Sequence, residues 1–231
     1  MKSPRSPEEL EGVRRRILDV ALELLSAHGF EGFTLRSLGR SLEMTAPNLY
    51  NYFSGKDEIY LTLMTRGFEQ LGSALRNADE AEGGDVVRAR RVLMAYLDFG
   101  LTHSDMYRLM FGGLGPKYRD FKGTEHEGLS VAEHALSMQI AEFSGGILSR
   151  TLGRGTSDDP TLLVGVWSLL HGMVSLAQSG NVQYLVADPT PVFVALVEGL
   201  TRPEWLGQLA EFHREGFGGG GPPWGPGPDP R

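Results

Sequence analysis

The segment TAPNLYNYF, residues 45–53, decides how the first third of the chain is interpreted. Thr45 can cap a helix whose first turn contains a proline, which favours a helix start. At about 100° per residue, Leu49, Phe53 and Ala46 fall on one face, which is therefore the predicted buried side. The other face and its flanks hold Pro47, Asn48, Tyr50, Asn51 and Tyr52. The segment is thus predicted to be a short helix with a polar, aromatic outer surface, and not a strained loop or an aromatic ligand patch.

Two helices are predicted before this segment. Ser6-Pro7-Glu8-Glu9 combines an N-cap, a proline at the first position and an acid at the third, so it begins the first helix. An apolar series at helical spacing follows, and Gly29 provides the C-terminal cap. Thr34 can cap a second, short helix whose leucines share one face. Two short helices joined by a tight break, within a set of three, predict a helix-turn-helix.

The polar face of the third helix suits DNA. Asparagine pairs with base edges, tyrosine hydroxyls reach phosphates, and helix N-termini bind phosphate through the helix dipole. Thr34, Arg36 and Lys56 begin the two flanking helices, where contacts with the DNA backbone are expected. A small bundle with a polar solvated face gives the same pattern. Periodicity alone therefore leaves DNA binding and a plain solvated surface both open.

The stretch ALELLSAHGFEGFTLRSLGRSLEMTAPNLYNYFSGKDEIY (residues 21–60) resembles the DNA-binding domain of the tetracycline-repressor (TetR-like) family of bacterial transcription regulators. The resemblance covers about residues 11–65, and the motifs that carry it are His28-Gly29-Phe30, Thr34-Leu35-Arg36, Asn48-Leu49-Tyr50-x-Tyr52-Phe53 and Lys56-Asp57-Glu58. It implies a recognition helix that touches DNA through Thr45, Ala46, Pro47, Asn48, Tyr50, Asn51 and Tyr52. It also implies that Lys56 contacts a phosphate. Glu43 departs from the family pattern, which usually has glycine in this turn.

The rest of the chain is also predicted to be helical, which makes the fold class all-α. Further helices are expected at 85–111 (with a break near His103-Ser104), 124–151, 160–179 and 189–214. The predicted organisation is a three-helix DNA-binding domain at 6–60 and a larger helical bundle for effector binding and dimerisation at 61–214. Twelve of the last sixteen residues are Gly or Pro, so the tail at 215–231 is expected to be disordered.

Two later stretches resemble the subclass of C-terminal domains named for a Trp-His-Gly signature. They are AYLDFGLTHSDMYRLMF (95–111) and WSLLHGMVSL (167–176), and the signature residues are Trp167, His171 and Gly172. The resemblance implies a homodimer and a small-molecule effector. The candidates to line an effector pocket are Tyr96, Phe99, Met106, Met110, Phe111, Trp167 and His171. Aromatic and thioether groups at helical spacing are equally typical of a core, so this alternative stays open.

Composition narrows the classes of function. The net charge of −7 disfavours a protein that coats nucleic acid nonspecifically. Residues 1–66 are neutral, with nine basic and nine acidic side chains, so the remainder carries the whole negative charge. The absence of cysteine excludes disulfides and thiolate metal sites. No uncharged run of about 18 apolar residues and no secretion signal is expected, which predicts a cytoplasmic protein without a membrane span.

Catalysis is not predicted. Glu125, His126, Glu127, Glu133 and His134 form a local acid/His cluster, but its histidines are eight residues apart, so no i,i+4 metal pair exists. No metal and no cofactor is therefore expected. The predicted function is a ligand-responsive transcription regulator, most simply a repressor that a small-molecule effector releases from a palindromic operator. The alternatives are a helical enzyme or a structural adaptor with an incidental helix-turn-helix.

Overall fold

The computed structural model describes residues 6–80, 82–113, 115–153 and 160–208, and all regular elements within these ranges are helical. The α-helices with complete bounds in these ranges are, in order, α1 Pro7–Gly32, α2 Leu35–Leu42, α3 Ala46–Tyr50, α4 Lys56–Glu80, α5 Asp85–Thr102, α6 Ser104–Phe111, α7 Glu127–Thr151, α8 Thr161–Gln178 and α9 Thr190–Leu200. Two 3₁₀ helices, Tyr118–Phe121 and Val182–Tyr184, lie in the connections. The predicted all-α class is confirmed.

The helix ends follow the local chemistry that the sequence indicated. Ser6 and Glu9 form a reciprocal capping box at the start of α1. Gly29 takes a left-handed backbone (φ 68°), so α1 breaks there before a final turn that ends at Gly32. Thr34 and Ser37 form a second capping box at the start of α2. The predicted break near His103 separates α5 from α6.

Two predicted helices end earlier than expected. The third helix has five residues and stops at Tyr50, so the wheel drawn to Phe53 extends past its end. The helix predicted at 189–214 is wrong beyond Leu200: α9 ends there, and a new helical stretch begins at Pro203. Because proline disfavours a helical conformation in the residue before it, Arg202 is a natural break. The predicted tail at 215–231 lies outside the described residues.

The chain divides into two compact units that are not continuous in sequence. The first unit combines residues up to 76 with 98–140, and the second combines 77–97 with the residues from 141 onward. The predicted division at residues 60 and 61 falls inside the unbroken helix α4, and it stays a prediction. The first unit therefore holds α1–α3 together with α6 and the connection that leads to α7.

Each unit has its own apolar core. In the first unit the buried side chains include Ile17, Leu38, Leu49, Ile59 and Leu63. There α1 packs on α6, and the Ser26 hydroxyl donates to an Asp105 carboxylate oxygen at 2.7 Å. In the second unit the core includes Val92, Leu97, Leu148, Val166, Val174 and Val197.

Helix α8 contradicts one expectation from composition. Its 18 residues contain no Asp, Glu, Lys or Arg and have a mean hydropathy of 1.4, so by length and composition alone the helix could cross a membrane. One such helix is weak evidence of a membrane span, because apolar helices of soluble proteins meet the same criterion. Only 22% of α8 is buried, so most of its apolar surface is available to a partner.

Candidate nucleic-acid interface

Helix α2 is the first element of the candidate interface, and side-chain hydrogen bonds fix its first turn. The Ser37 amide donates to the Thr34 hydroxyl at 3.0 Å, and the Thr34 amide donates to the Ser37 hydroxyl at 3.3 Å. Thr34 and Arg36 are both exposed, as their predicted role at the DNA backbone requires. Arg40, one turn further along, is exposed as well and was not predicted. Two guanidinium groups thus stand on the solvent side of this helix.

The turn between α2 and α3 is built by a left-handed residue. Glu43 has φ 55° and ψ 36°, a conformation that costs a residue with a side chain about 1–2 kcal/mol. The Met44 amide donates to the Gly39 carbonyl at 2.8 Å and closes the turn. A Cβ atom at Gly39 would lie 2.7 Å from the Met44 carbonyl oxygen, so this position needs glycine. The turn therefore forms without glycine at this position, and Glu43 takes the left-handed conformation.

Helix α3 is fixed by few contacts and exposes most of its side chains. Leu49 and Phe53 are 1% and 2% exposed, as predicted. Ala46 was expected on the same buried face but is exposed. Tyr52 was expected on the outer flank, which is wrong, because only 7% of it is exposed. The exposed side chains are Thr45, Pro47, Tyr50 and Asn51, and Asn48 is half-buried.

Thr45 lies at the N-cap of α3, as predicted, but its side chain makes no capping hydrogen bond. Tyr50 has 58% of its surface exposed, which is unusual for an aromatic side chain. Its ring and hydroxyl are thus free to meet a partner from solvent. The outer face of α3 offers a phenol, an amide, a hydroxyl and a proline ring without any charged group.

Arg14 holds the end of this segment in place. Its guanidinium donates to the Tyr52 carbonyl, lies 4.1 Å from the centre of the Phe53 ring and is 3.7 Å from a Glu58 carboxylate oxygen. Arg15 and Arg16 are exposed, whereas Arg14 is half-buried, with 35% of its side chain exposed.

Lys56 begins α4, and its position is set by an aromatic side chain. The Lys56 ammonium lies 4.1 Å from the centre of the Phe30 ring, a cation–π contact that orients the charge without neutralising it. Phe30 in turn packs edge-on against Tyr60, with ring centres 5.0 Å apart. The predicted phosphate-contacting lysine is thus held over the Phe30 ring near the end of α1.

A small groove that the sequence did not indicate lies against the same turn. Its volume is about 160 Å³, and its lining residues are Val13, Arg16, Ile17, Leu42, Met44 and Asn48. Both apolar and polar groups face it, and Asn48 belongs to α3. The groove explains why Asn48 is only half-buried between α1 and the turn.

The predicted effector-pocket residues fall into both compact units. Phe99, Met106, Met110 and Phe111 belong to the first unit, and the first three are buried. A Cβ atom added at Gly67 would lie 2.6 Å from the Met110 sulfur and 2.8 Å from the Met106 sulfur, so these thioethers pack directly on the α4 backbone. Phe111 packs edge-on against Phe68, with ring centres 6.0 Å apart. This subset has the packing of a core.

The other predicted pocket residues, Tyr96, Trp167 and His171, lie in the second unit. The Trp167 indole N–H donates to the Tyr96 hydroxyl at 2.8 Å, and the Trp167 and His171 rings are 5.9 Å apart. Trp167 is 41% exposed, whereas Tyr96 is buried. The signature tryptophan therefore bridges a buried phenol and the surface.

The acid/His cluster is spread along α7 and the segment before it. His126 lies 3.6 Å from Glu125, while His134 stacks on Tyr118 at 3.9 Å. Over the described ranges, no group of three His, Cys, Asp or Glu side chains could hold a metal ion. Burial raises the pKa of Glu133, and the nearby Lys117 partly opposes this effect. The pKa of Tyr60 is raised to about 12 by burial and by the charges of Glu133 and Asp120.

Comparisons with protein families agree with this architecture. The family described as "Bacterial regulatory proteins, tetR family" matches residues 17–63. The family described as "Tetracyclin repressor-like, C-terminal domain" matches residues 89–200, a range that includes Trp167, His171 and Gly172. Together the two ranges cover more than two thirds of the chain.

Similar curated proteins are regulators with a helix-turn-helix. An uncharacterized HTH-type transcriptional regulator in the dhlA 5′ region of Xanthobacter autotrophicus is 32% identical over 41% of this chain and 48% of its own length. The HTH-type transcriptional activator FasR of Mycolicibacterium smegmatis is 30% identical over 42% of this chain and 45% of its own length. The chain thus spans about half the length of the curated relatives that it matches.

Solved structures share the fold. A bacterial regulatory protein of the tetR family from Rhodococcus RHA1 has a TM-score of 0.61 at 18% identity, covering 82% of this chain and 95% of the other. The ketosteroid transcriptional regulator KstR2 of Mycobacterium tuberculosis has a TM-score of 0.60 at 16% identity, covering 81% and 93%. At these identities the likeness concerns the fold alone.

Proposed function

Because the chain belongs to the TetR family of bacterial transcription regulators, we propose that it is a cytoplasmic, homodimeric repressor that a small-molecule effector releases from a palindromic operator. Proteins of this family are regulators and not enzymes. The observation that carries the proposal is the outer face of α3. It exposes a tyrosine, an asparagine, a threonine and a proline on a short segment that the buried Leu49 and Phe53 anchor.

The proposed DNA-binding residues are those that the structure leaves accessible. Tyr50 and Asn51 are assigned to base edges or nearby phosphates in the major groove, with Asn48, Pro47, Ala46 and Thr45 beside them. Thr34, Arg36 and Lys56 are assigned to the DNA backbone, where cations add affinity without sequence information. Tyr52 is assigned a supporting role, because its ring is buried and its carbonyl accepts from Arg14.

The proposed dimer interface is the apolar outer surface of α8 and α9. Besides Trp167, which is assigned to the effector below, the exposed apolar side chains there are Val164, Leu169, Leu176, Val192, Val194 and Leu196. The opposite faces of the same two helices are buried within the second unit through residues that include Val166, Val174, Phe193 and Val197. Gly172 has open space where a Cβ would stand, which leaves room for a partner helix to approach closely. Packing a second copy on this surface would remove apolar area from water.

Two-fold pairing sets a geometric requirement on DNA binding. Two reading helices must lie about 34–36 Å apart, one turn of DNA, to enter successive major grooves. An effector that binds better to a conformation with a different spacing would weaken DNA binding. The loss in binding free energy is at most the difference between the effector's binding free energies for the two conformations. Trp167 with Tyr96 is the proposed effector contact, because it joins the surface to a buried polar group.

Selection of duplexes from a random-sequence library, with the full chain as bait, tests the proposal. We expect enrichment of a two-fold symmetric sequence whose half-sites are centred about one helical turn, or a multiple of it, apart. If no sequence is enriched over the input library, the chain is not a sequence-specific DNA-binding protein. Enrichment of an asymmetric single site would instead exclude the dimeric arrangement.

The effector assignment has its own test. Trp167→Phe with Tyr96→Phe removes the hydrogen bond between the rings and keeps both side chains aromatic. We expect normal affinity for the selected duplex and a reduced release of that duplex by small-molecule extracts of the host cell. Equal release by variant and wild type would contradict the assignment of this pair as the effector contact.

A further inference from the structure

The connection between α6 and α7 contains three exposed basic side chains. Residues 116–122, PKYRDFK, hold three cations and one acid in a chain whose net charge is −7. Only four lysines occur in the whole sequence, and two of them are Lys117 and Lys122. These two and Arg119 are exposed. We call residues 116–122 the basic loop.

The basic loop has a fixed shape. The Lys117 amide donates to an Asp120 carboxylate oxygen at 2.6 Å, which caps the 3₁₀ helix Tyr118–Phe121. Phe121 is 4% exposed and anchors the loop in the core of the first unit. The Tyr118 ring stacks on His134 of α7 at 3.9 Å with an interplanar angle of 2°. Phe121 is turned inward, whereas Tyr118 is half-buried and its hydroxyl accepts from Arg119 Nε at 3.0 Å; the Lys117, Arg119 and Lys122 side chains are exposed.

The loop is fastened to the first turns of α4. The Tyr60 hydroxyl donates to the Pro116 carbonyl at 3.2 Å. A Cβ atom at Gly115 would lie 2.4 Å from the Tyr60 hydroxyl oxygen, so the loop backbone lies directly on this ring. Tyr60 is four residues after Lys56, which is about one helical turn, or roughly 5 Å along the axis. Tyr60 also packs edge-on against Phe30, over which the Lys56 ammonium lies.

The basic loop and the reading helix belong to one compact unit. Residues 98–140 cluster with residues up to 76, which include α3 and Lys56. Acidic side chains also lie beside the cations: Asp120 accepts from the Lys117 amide, and the charge of Lys117 opposes the burial that raises the pKa of Glu133. The exposed cations therefore lie on a loop whose Pro116 carbonyl accepts from Tyr60, and Tyr60 is one helical turn after the lysine assigned to a DNA phosphate.

We infer that the basic loop is a second DNA-backbone contact, in which Lys117, Arg119 and Lys122 bind phosphates that flank the half-site contacted by α3. This inference rests on the proposed function, since it concerns the same DNA. Duplex DNA carries one negative charge per roughly 1.7 Å of axis, so a cation near a bound half-site meets phosphate without specific base contacts. Each cation that neutralises a phosphate adds about 0.9 to the magnitude of the slope of log K against log salt concentration.

The test compares two triple variants of the full chain that have the same net charge. The first is Lys117→Gln, Arg119→Gln and Lys122→Gln. The matched control is Arg76→Gln, Arg150→Gln and Arg202→Gln, which removes three exposed cations elsewhere. Affinity is measured by fluorescence anisotropy between 50 and 300 mM salt on the selected duplex, with long flanks and with the flanks trimmed, and on a random duplex.

For each bound copy of the loop variant, we expect the slope of log K against log salt concentration to fall in magnitude by about 2–3. Its affinity should fall tenfold or more at physiological salt. The loss should be equal for selected and random duplexes, because phosphate contacts carry no sequence information. Trimming the flanks should weaken the wild type and leave the loop variant unchanged. The control variant should keep a slope close to that of the wild type.

An unchanged salt slope in the loop variant would overturn the inference. The proposed function would still stand in that case, provided that the wild type binds the selected duplex. Failure of the wild type to prefer the selected duplex would instead count against the proposed function. A loss confined to the selected duplex would also overturn the inference, since it would mean base recognition. A third variant, Lys117→Arg with Lys122→Arg, preserves the charge and should bind like the wild type. If its affinity falls like that of the loop variant, the loop acts through its shape and not its charge.

Discussion

Helices α3 and α8 both expose side chains that proteins usually bury, but they do so with different chemistry. Helix α3 has five residues and presents Tyr50 at 58% exposure beside amides and a hydroxyl. Helix α8 has 18 residues, no charge, and an outer surface of valine, leucine and tryptophan. The polar surface suits hydrogen-bonding groups of DNA, and the apolar surface suits a second copy of the chain. The kind of exposed group thus indicates the kind of partner.

The two helices are also held in place differently. Helix α8 buries a full apolar stripe within its own unit. Helix α3 is too short for such a stripe, so it depends on Leu49, Phe53, the Arg14 guanidinium and the strained turn at Glu43. An isolated helix of this length is not stable in water. Its geometry is therefore more sensitive to single polar substitutions than that of α8.

The largest expected effect is a loss of dimerisation when charges are introduced on the outer surface of α8 and α9. The variant Val164→Glu with Leu196→Glu places two carboxylates per copy, and hence four per interface, in an apolar contact. We expect the dimer dissociation constant to rise at least 100-fold, so that sedimentation at micromolar concentration shows a monomer.

The matched control is Val131→Glu with Met138→Glu, which charges equally exposed apolar positions of α7. It should leave the wild-type dimer intact. A dimer that survives the α8 and α9 charges, or a wild type that is a stable monomer, would exclude this interface and weaken the contrast between the two helices.

The next largest expected effect is a loss of folding stability when Arg14 is removed. Arg14→Ala deletes the contacts with the Tyr52 carbonyl and the Phe53 ring, which together fix the end of the reading segment. We expect a loss of about 1–2 kcal/mol in the free energy of unfolding. Arg15→Ala is the control, because Arg15 is exposed and its removal should change stability by less than about 0.5 kcal/mol. Equal stability of the two variants in urea titrations would show that Arg14 is not a structural tether.

A smaller effect is expected at Glu43. Glu43→Gly relieves the left-handed strain, so the free energy of unfolding should rise by about 1 kcal/mol. Glu43→Gln removes the charge but keeps the strain, and it should leave stability unchanged. Removing a negative charge beside DNA should increase the affinity for the selected duplex modestly in both variants. A stability gain in Glu43→Gln as large as in Glu43→Gly would assign the cost to charge and not to backbone strain.

The smallest effect concerns Glu133, a buried carboxyl group in the unit that contains α3. Because burial raises its pKa, the folded state holds the proton more tightly than the unfolded state. Stability from this group is therefore present at acidic pH and is lost as pH rises through the folded-state pKa. Glu133→Gln should stabilise the protein by about 0.5–1 kcal/mol at pH 7.5, because Lys117 already offsets part of the cost.

The gain from Glu133→Gln should shrink as the pH falls towards the ordinary range of a glutamic acid. Thermal unfolding at several pH values measures this dependence. A gain that is independent of pH would assign the effect to packing and not to the titration of the carboxyl group.

Local chemistry explains which features could be predicted from the sequence. Helix caps depend on a few neighbouring residues, so the sequence pattern was sufficient to predict them. The caps at Ser6 and Thr34 and the left-handed Gly29 are examples. The break before Pro203 also has a local signal, since proline restricts the residue before it, although the sequence prediction ran the helix through it.

Features that depend on distant contacts could not be predicted in the same way. Tyr52 lies beyond the end of α3, and its carbonyl accepts from Arg14 of α1, a contact between distant segments that the wheel of α3 does not contain. Arg14 is 38 residues from the carbonyl to which it donates, and no periodic pattern indicates that pair. The grouping of residues 98–140 with the reading helix likewise arises from packing between segments far apart in sequence.

The assignment of α3 as the reading helix is tested by one titration. Tyr50→Ala with Asn51→Ala removes two exposed groups from α3, and Asn181→Ala with Tyr184→Ala removes the same two residue types from exposed positions of the second unit. Fluorescence anisotropy on the selected duplex should show an affinity loss on the order of 100-fold for the α3 variant, at about 1–3 kcal/mol per base contact. The control variant should bind like the wild type, and both should unfold at the wild-type temperature. An α3 variant that is folded and binds the selected duplex with wild-type affinity would contradict the assignment.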